Sequence, residues 1–262
     1  MKNTLTLCFA LLFVLHSCKN KEVSKEKERI LDKQGSIEIH FLTSDSIKIY
    51  GDLYEISKIA PTLLIFHQGG SNTRAEYKSI IPVLKNEGFN ILTIDQRVGG
   101  QYYYGGYNRT IVDIEKNEFG YCDAYPDLVA ALSYIEGLGF LGKTVVWGSS
   151  YSATLALKLA DDNEDKIDGV LAFSPASGNP MEGCQPTEHI QSIKMPLLLM
   201  KPASEMQSER SQNQIKLAKE NGHQTYIAEN GVHGSSMLDN SRIKGSSEET
   251  WNIVKAFLSQ FK

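Results

Sequence analysis

Hydrophobic and polar positions along the chain fall into two kinds of run. Segments 36–42 (SIEIHFL) and 46–54 (SIKIYGDLY) alternate apolar and polar residues, as half-buried antiparallel strands do. Later runs are continuously apolar: 62–66 (TLLIF), 90–94 (NILTI), 144–147 (TVVW), 169–173 (GVLAF) and 196–200 (PLLLM). Strands look like this when helices cover both faces of a parallel sheet. A last strand is expected over 223–229, and helical patterns separate the strands near 75–87, 124–138, 151–161, 208–221 and 247–261. The alternation predicts an α/β fold with a mostly parallel central sheet, antiparallel N-terminal strands and helices on both faces. In such sheets ligands bind where strands end and loops begin.

The start of the chain departs from this pattern. Residues 1–17 place Lys2 before an apolar stretch from Leu5 to Leu15, broken only by Thr6. As a helix it spans about 16 Å, against roughly 30 Å for a bilayer core, so it reads as a signal peptide. Leu15-His16-Ser17-Cys18 resembles the bacterial lipobox, with His16 as the departure. The resemblance implies lipidation of Cys18 and an anchored place in the bacterial cell envelope, on its periplasmic side or at the cell surface. Residues 19–35 carry ten charged side chains in seventeen, too few apolar groups to offset ordering entropy. Residues 18–35 are therefore read as lipidated cysteine and tether, and 36–262 as one domain.

Composition narrows the function. Of 262 residues 41% are hydrophobic, enough for a core, and the net charge of −4 argues against nucleic acid as a partner. Residues 137–144 (GLGFLGKT) match phosphate-loop and dinucleotide patterns. Here, however, a helix precedes and a strand follows, the reverse of the order that aims helix amides at phosphate. No nucleotide, metal or other cofactor is expected. Cys8 falls in the leader, while Cys122 and Cys184 follow strands in an exported domain, where a disulfide is chemically allowed.

The densest chemistry lies in 145–160 (VVWGSSYSATLALKLA), an apolar strand, a tight turn and an apolar helix. A nucleophile on such a turn needs small residues two before and two after it. Centring on Ser150 puts Gly148 and Ser152 there; centring on Ser149 puts Trp147 and Tyr151 there, which clash. Standing alone, the serine also reads as a helix N-cap. It does not stand alone. Residues 63–72 (LLIFHQGGSN) end a strand in a glycine loop able to approach an oxyanion. The expected donors are the Tyr151 and Gly69 amides, with Gln68 as fallback and His67 holding the loop. His233, in 229–238 (ENGVHGSSML), follows the last strand and suits a general base. For the acid, Glu205 lies between PLLLM and His233, with Glu209 less well placed and Glu182 the alternative one strand earlier. The usual Gly-x-x-Asp turn is absent. Tyr102, Tyr103, Tyr104 and Tyr107 in 99–108 (GGQYYYGGYN), with Gln68, are candidates for lining a substrate pocket, while Asp95 and Arg97 brace the turn before them.

These stretches together resemble the α/β-hydrolase superfamily across 36–262. Within it HQGGSN, IDQRVGG, WGSSYSA and GVHGSS resemble the dienelactone-hydrolase-like group, whose namesake has a cysteine where this chain has Ser150. The resemblance implies a cofactor-free Ser-His-acid hydrolase that cleaves a small-molecule carboxylic ester through an acyl-enzyme. A peptidase or acyltransferase would use the same residues, and a non-catalytic ligand-binding lipoprotein would keep only the fold.

Overall fold

The computed structural model describes residues 35–112, 114 and 119–262; the expected leader, Cys18 and the tether to residue 34 lie outside the described residues. The strands are β1 (Ile37–Leu42), β2 (Lys48–Tyr54), β3 (Thr62–Phe66), β4 (Asn90–Asp95), β5 (Thr144–Ser149), β6 (Gly169–Phe173), β7 (Leu197–Pro202) and β8 (Gln224–Ala228). The helices are α1 (Thr73–Glu76), α2 (Ile80–Asn86), α3 (Arg109–Val112), α4 (Tyr125–Gly137), α5 (Tyr151–Asp162), α6 (Pro186–Ser192), α7 (Glu209–Glu220) and α8 (Glu248–Leu258).

The strands form one sheet in the order β1-β2-β4-β3-β5-β6-β7-β8. β1 pairs with β2 and β2 with β4 antiparallel; from β4 through β3 to β8 all pairing is parallel. The continuous apolar runs have the expected cause, because alternate residues enter two separate cores. Leu64, Phe66, Val146 and Val170 pack with Leu128, Leu155 and Ile215 of α4, α5 and α7. Leu63, Ile65, Val145 and Leu171 pack on the other face with Ile80 and Leu84 of α2 and Phe257 of α8.

The pattern over 75–87 becomes two helices, α1 and α2, rather than one. Pro82 has no N–H to give the preceding turn, so the helix restarts where Pro82 falls in the first turn. Tyr77, at the break, donates its hydroxyl to the Phe66 carbonyl at 2.7 Å. The short helices α3 and α6 carry too few residues for a 3.6-residue period to show. The GLGFLGKT segment joins α4 to β5, and Gly139 turns there at φ +69°. The C-terminal ends of β3, β5, β6, β7 and β8 share one edge of the sheet, and the loops there carry the candidate residues.

Candidate active site

Ser150 stands between β5 and α5 at φ 61° and ψ −121°, a left-hand-side conformation that costs a non-glycine residue about 1–3 kcal/mol. Its amide donates to the Phe173 carbonyl at 2.9 Å, and its carbonyl accepts from Ala153 and Ala176 at 3.0 and 3.1 Å. The turn is tight enough to dictate its neighbours. A Cβ on Gly148 would lie 2.2 Å from the Ser152 carbonyl oxygen. Ser152 is fully buried; its hydroxyl donates to the His67 carbonyl and lies 3.1 Å from Gln96 Oε1, so it ties the elbow to the glycine loop.

His67 organises that loop. Nε2 accepts the Gln96 amide at 3.0 Å, so Nδ1 is the protonated nitrogen and donates to the Gln68 carbonyl at 2.8 Å. Burial holds the imidazole pKa down, which agrees with this neutral tautomer. Asn72 closes the loop, accepting from Ala75 and donating to Gly100 and Gly105 of the tyrosine segment. Gln68 N–H donates to Glu76 Oε2 at 2.8 Å. The fallback oxyanion donor is therefore committed elsewhere. Gly69 N–H and Tyr151 N–H have no acceptor among the described residues, and Tyr151 begins a helix, whose first amides lack intrahelical partners.

On the far side, His233 Nδ1 lies 2.6 Å from Glu205 Oε1. Glu205 sits in a short 3-10 turn, Ala203–Gln207, that follows β7 directly. Its second oxygen is 3.3 Å from Nζ of Lys201, a side chain only 2% exposed. Burial raises the Glu205 pKa, but His233, Lys201 and Ser174 together hold it below its ordinary value. Burial depresses the Lys201 pKa against the pull of Glu205. The histidine loop is seated by Ser235, whose amide donates to Ser149 Oγ at 3.0 Å and whose hydroxyl accepts from Trp147 Nε1 at 2.8 Å. Glu182 is exposed and lies away from this pair, lining a larger polar cavity of about 570 Å³ with Ser177, Arg210 and Gln214. None of Ser150, His233 and Glu205 lines that larger space.

Ser150 and His233 meet in a cavity of about 290 Å³ lined also by Gln68, Gly69, Tyr103, Tyr104, Tyr121 and Val232. No hydrogen bond joins the Ser150 hydroxyl to His233 among the described residues. Tyr102 and Tyr107 are 82% and 59% exposed and lie outside the lining. Tyr104 is in it, clamped by Ser236 Oγ at 2.6 Å and by the Arg242 guanidinium 3.4 Å from its ring centre. Tyr121 stacks on Tyr151 with ring centroids 4.7 Å apart, and a Cβ on Gly69 would come within 2.8 Å of its hydroxyl. The neighbouring Cys122 is bridged to Cys184, with Cα atoms 5.9 Å apart. Lys201 and Tyr121 had no signal in the sequence beyond a lysine closing an apolar run and a tyrosine beside a cysteine.

No protein-family model and no curated protein matches the sequence. Solved structures do. An esterase of Pyrococcus furiosus superposes with a TM-score of 0.67 at 18% identity, over 86% of this chain and 90% of that one. Brefeldin A esterase, a bacterial homologue of human hormone-sensitive lipase, gives 0.66 at 14% identity over 86% and 76%. An acylaminoacyl peptidase of Pyrococcus horikoshii gives 0.62 at 15% identity over 87% of this chain but 41% of its own. The chain has the α/β-hydrolase fold.

Proposed function

On that fold, we propose a serine hydrolase that cleaves a small carboxylic ester through an acyl-enzyme. The observation that carries this reading is a serine in a strained strand-to-helix elbow, sharing one cavity with a histidine already paired to a carboxylate. Ser150 Oγ attacks the ester carbonyl while His233 Nε2 takes its proton. Glu205, at Nδ1, fixes the tautomer and stabilises the imidazolium that forms. The Gly69 and Tyr151 amides receive the negative oxygen of the tetrahedral intermediate. Collapse expels the alcohol with the proton returned from His233, and water repeats the sequence on the acyl-serine. Solved structures with this fold include esterases and an acylaminoacyl peptidase, which supports hydrolysis of an acyl bond, and we take the ester as the reading to test.

Hydrolysis of p-nitrophenyl acetate by the wild-type domain and by Ser150→Ala is the test. The substitution is expected to lower kcat by about 10⁴-fold or more, with Glu205→Gln less severe. Unchanged turnover in Ser150→Ala refutes the reading.

We further propose that the protein is anchored in the cell envelope through a lipid on Cys18, on the strength of the short apolar leader and the LHSC sequence. A palmitate analogue fed to expressing bacteria is expected to label the protein, and Cys18→Ser to abolish the label. Equal labelling of both rules the anchor out.

A further inference from the structure

Glu76 ends α1 with no solvent exposure, an expensive setting for a carboxyl group. Oε2 accepts the Gln68 amide at 2.8 Å and the Ser149 hydroxyl faces the carboxyl, while Oε1 is buried without a hydrogen bond of full geometry among the described residues. The side-chain Oε1 of Gln68 is buried and unpartnered as well. The carboxyl therefore lies against the turn that carries Gly69, and it takes the one amide that would otherwise compete with Gly69 for an oxyanion.

The histidine loop rests on the same spot. A Cβ on Gly234, the residue after His233, would lie 2.3 Å from Ser149 Oγ and 3.1 Å from Gln68 Oε1. Burial pushes the Glu76 carboxyl up to about 7, against the Ser149 hydroxyl, the Gln68 amide and the charges of Arg242 and His233, which all favour ionisation. Tyr77, which follows α1, is raised well above its ordinary range by burial and stays neutral. His67 is the neutral imidazole described above.

Resting on the hydrolase reading, we propose that Glu76 is a positioning residue for the oxyanion site: its carboxyl takes the Gln68 N–H, fixes the Gln68–Gly69 turn, and leaves Gly69 N–H as the loop amide offered to the oxyanion at Ser150. The neutral acid is the productive form. An ionised carboxylate bonded to the Gln68 amide, next to Gly69, opposes the charge developing on the oxyanion. The carboxyl is neutral below its pKa and charged above it, so activity falls as pH rises through about 7.

The test compares Glu76→Ala, Glu76→Gln and wild type, each labelled to completion with a fluorophosphonate in parallel aliquots so that kcat is expressed per competent site. Glu76→Ala is expected to lose about 10–100-fold in kcat with KM changed less than about threefold, because it is the transition state that loses its donor. Glu76→Gln keeps an acceptor for the Gln68 amide without the charge. It is expected to recover most of kcat and to lack the decline on the alkaline side. Overturning results are a Glu76→Ala kcat within about twofold of wild type, or an alkaline decline in Glu76→Gln identical to that of wild type. The second decides the matter even where Glu76→Ala fails to fold. Ser150→Ala run alongside separates the two levels: turnover surviving there refutes the hydrolase reading, whereas its loss beside an unaffected Glu76→Ala refutes only the role of Glu76.

Discussion

Ser150 is held in its unfavourable backbone conformation by hydrogen bonds from β6 and from the segment after it, so the surrounding fold bears the strain and the hydroxyl is presented at the sheet edge. Local sequence made this residue legible, because the steric demand of the turn falls on positions 148 and 152 alone. His233 was legible from chain order and flanking glycines. Glu76, Tyr121 and Lys201 were not, since their places depend on how loops fold against one another, as when Tyr121 stacks on Tyr151, and no spacing in the sequence shows that. Lys201 has a calculable consequence. Its ammonium helps keep Glu205 ionised, while its own burial is costly and Glu205 retains His233 as a partner. Lys201→Met is therefore expected to change stability by no more than about 1 kcal/mol yet lower kcat/KM by about 3–10-fold near neutral pH. With the Glu205 pKa raised, the acid-side decline in kcat/KM moves to higher pH. Urea denaturation and a pH–rate profile check both halves, and a profile superimposable on wild type contradicts the role given to Lys201.

At the scale of elements, β3, β5 and β7 each deliver one part of the site, and a loop after β8 delivers the histidine. The strands and longer helices could be read from periodicity, because a two-faced core repeats through them. The split between α1 and α2 could have been read from Pro82. Glu205 could be nominated from its place between β7 and His233, but the 3-10 turn that leads straight out of β7 and carries it could not be read, because the usual Gly-x-x-Asp turn is absent. The Cys122–Cys184 bridge joins the segment before α4 to the segment before α6. With a sequence separation of 62, its loss is expected to cost about 4 kcal/mol on the chain-entropy model. Because Tyr121 is next in sequence and stacks on Tyr151, activity should fall with it. Denaturant curves of the wild type with and without reductant, beside Cys122→Ser/Cys184→Ser, measure the cost. Stability indifferent to reductant argues against a structural bridge.

At the scale of the molecule, an antiparallel start feeds a parallel sheet whose loops converge on one edge, and that convergence makes a site of residues spread from Gln68 to His233. The strand order, with β3 and β5 adjacent at the centre, is written in no single stretch of sequence. It nonetheless decides that the glycine loop and the elbow are neighbours. The cavity they share is small, about 290 Å³, and is lined by Gly69 and three tyrosines beside Ser150 and His233. On the proposed reading Ser150, among the many hydroxyls of the domain, is the one activated for covalent attack. Exposure of the purified domain to a fluorophosphonate, followed by intact-protein and peptide mass spectrometry, reads this directly. A single adduct on the peptide carrying Ser150, absent after heat denaturation and from Ser150→Ala, is the expected result. No adduct on the native protein, or one placed on another residue, contradicts it.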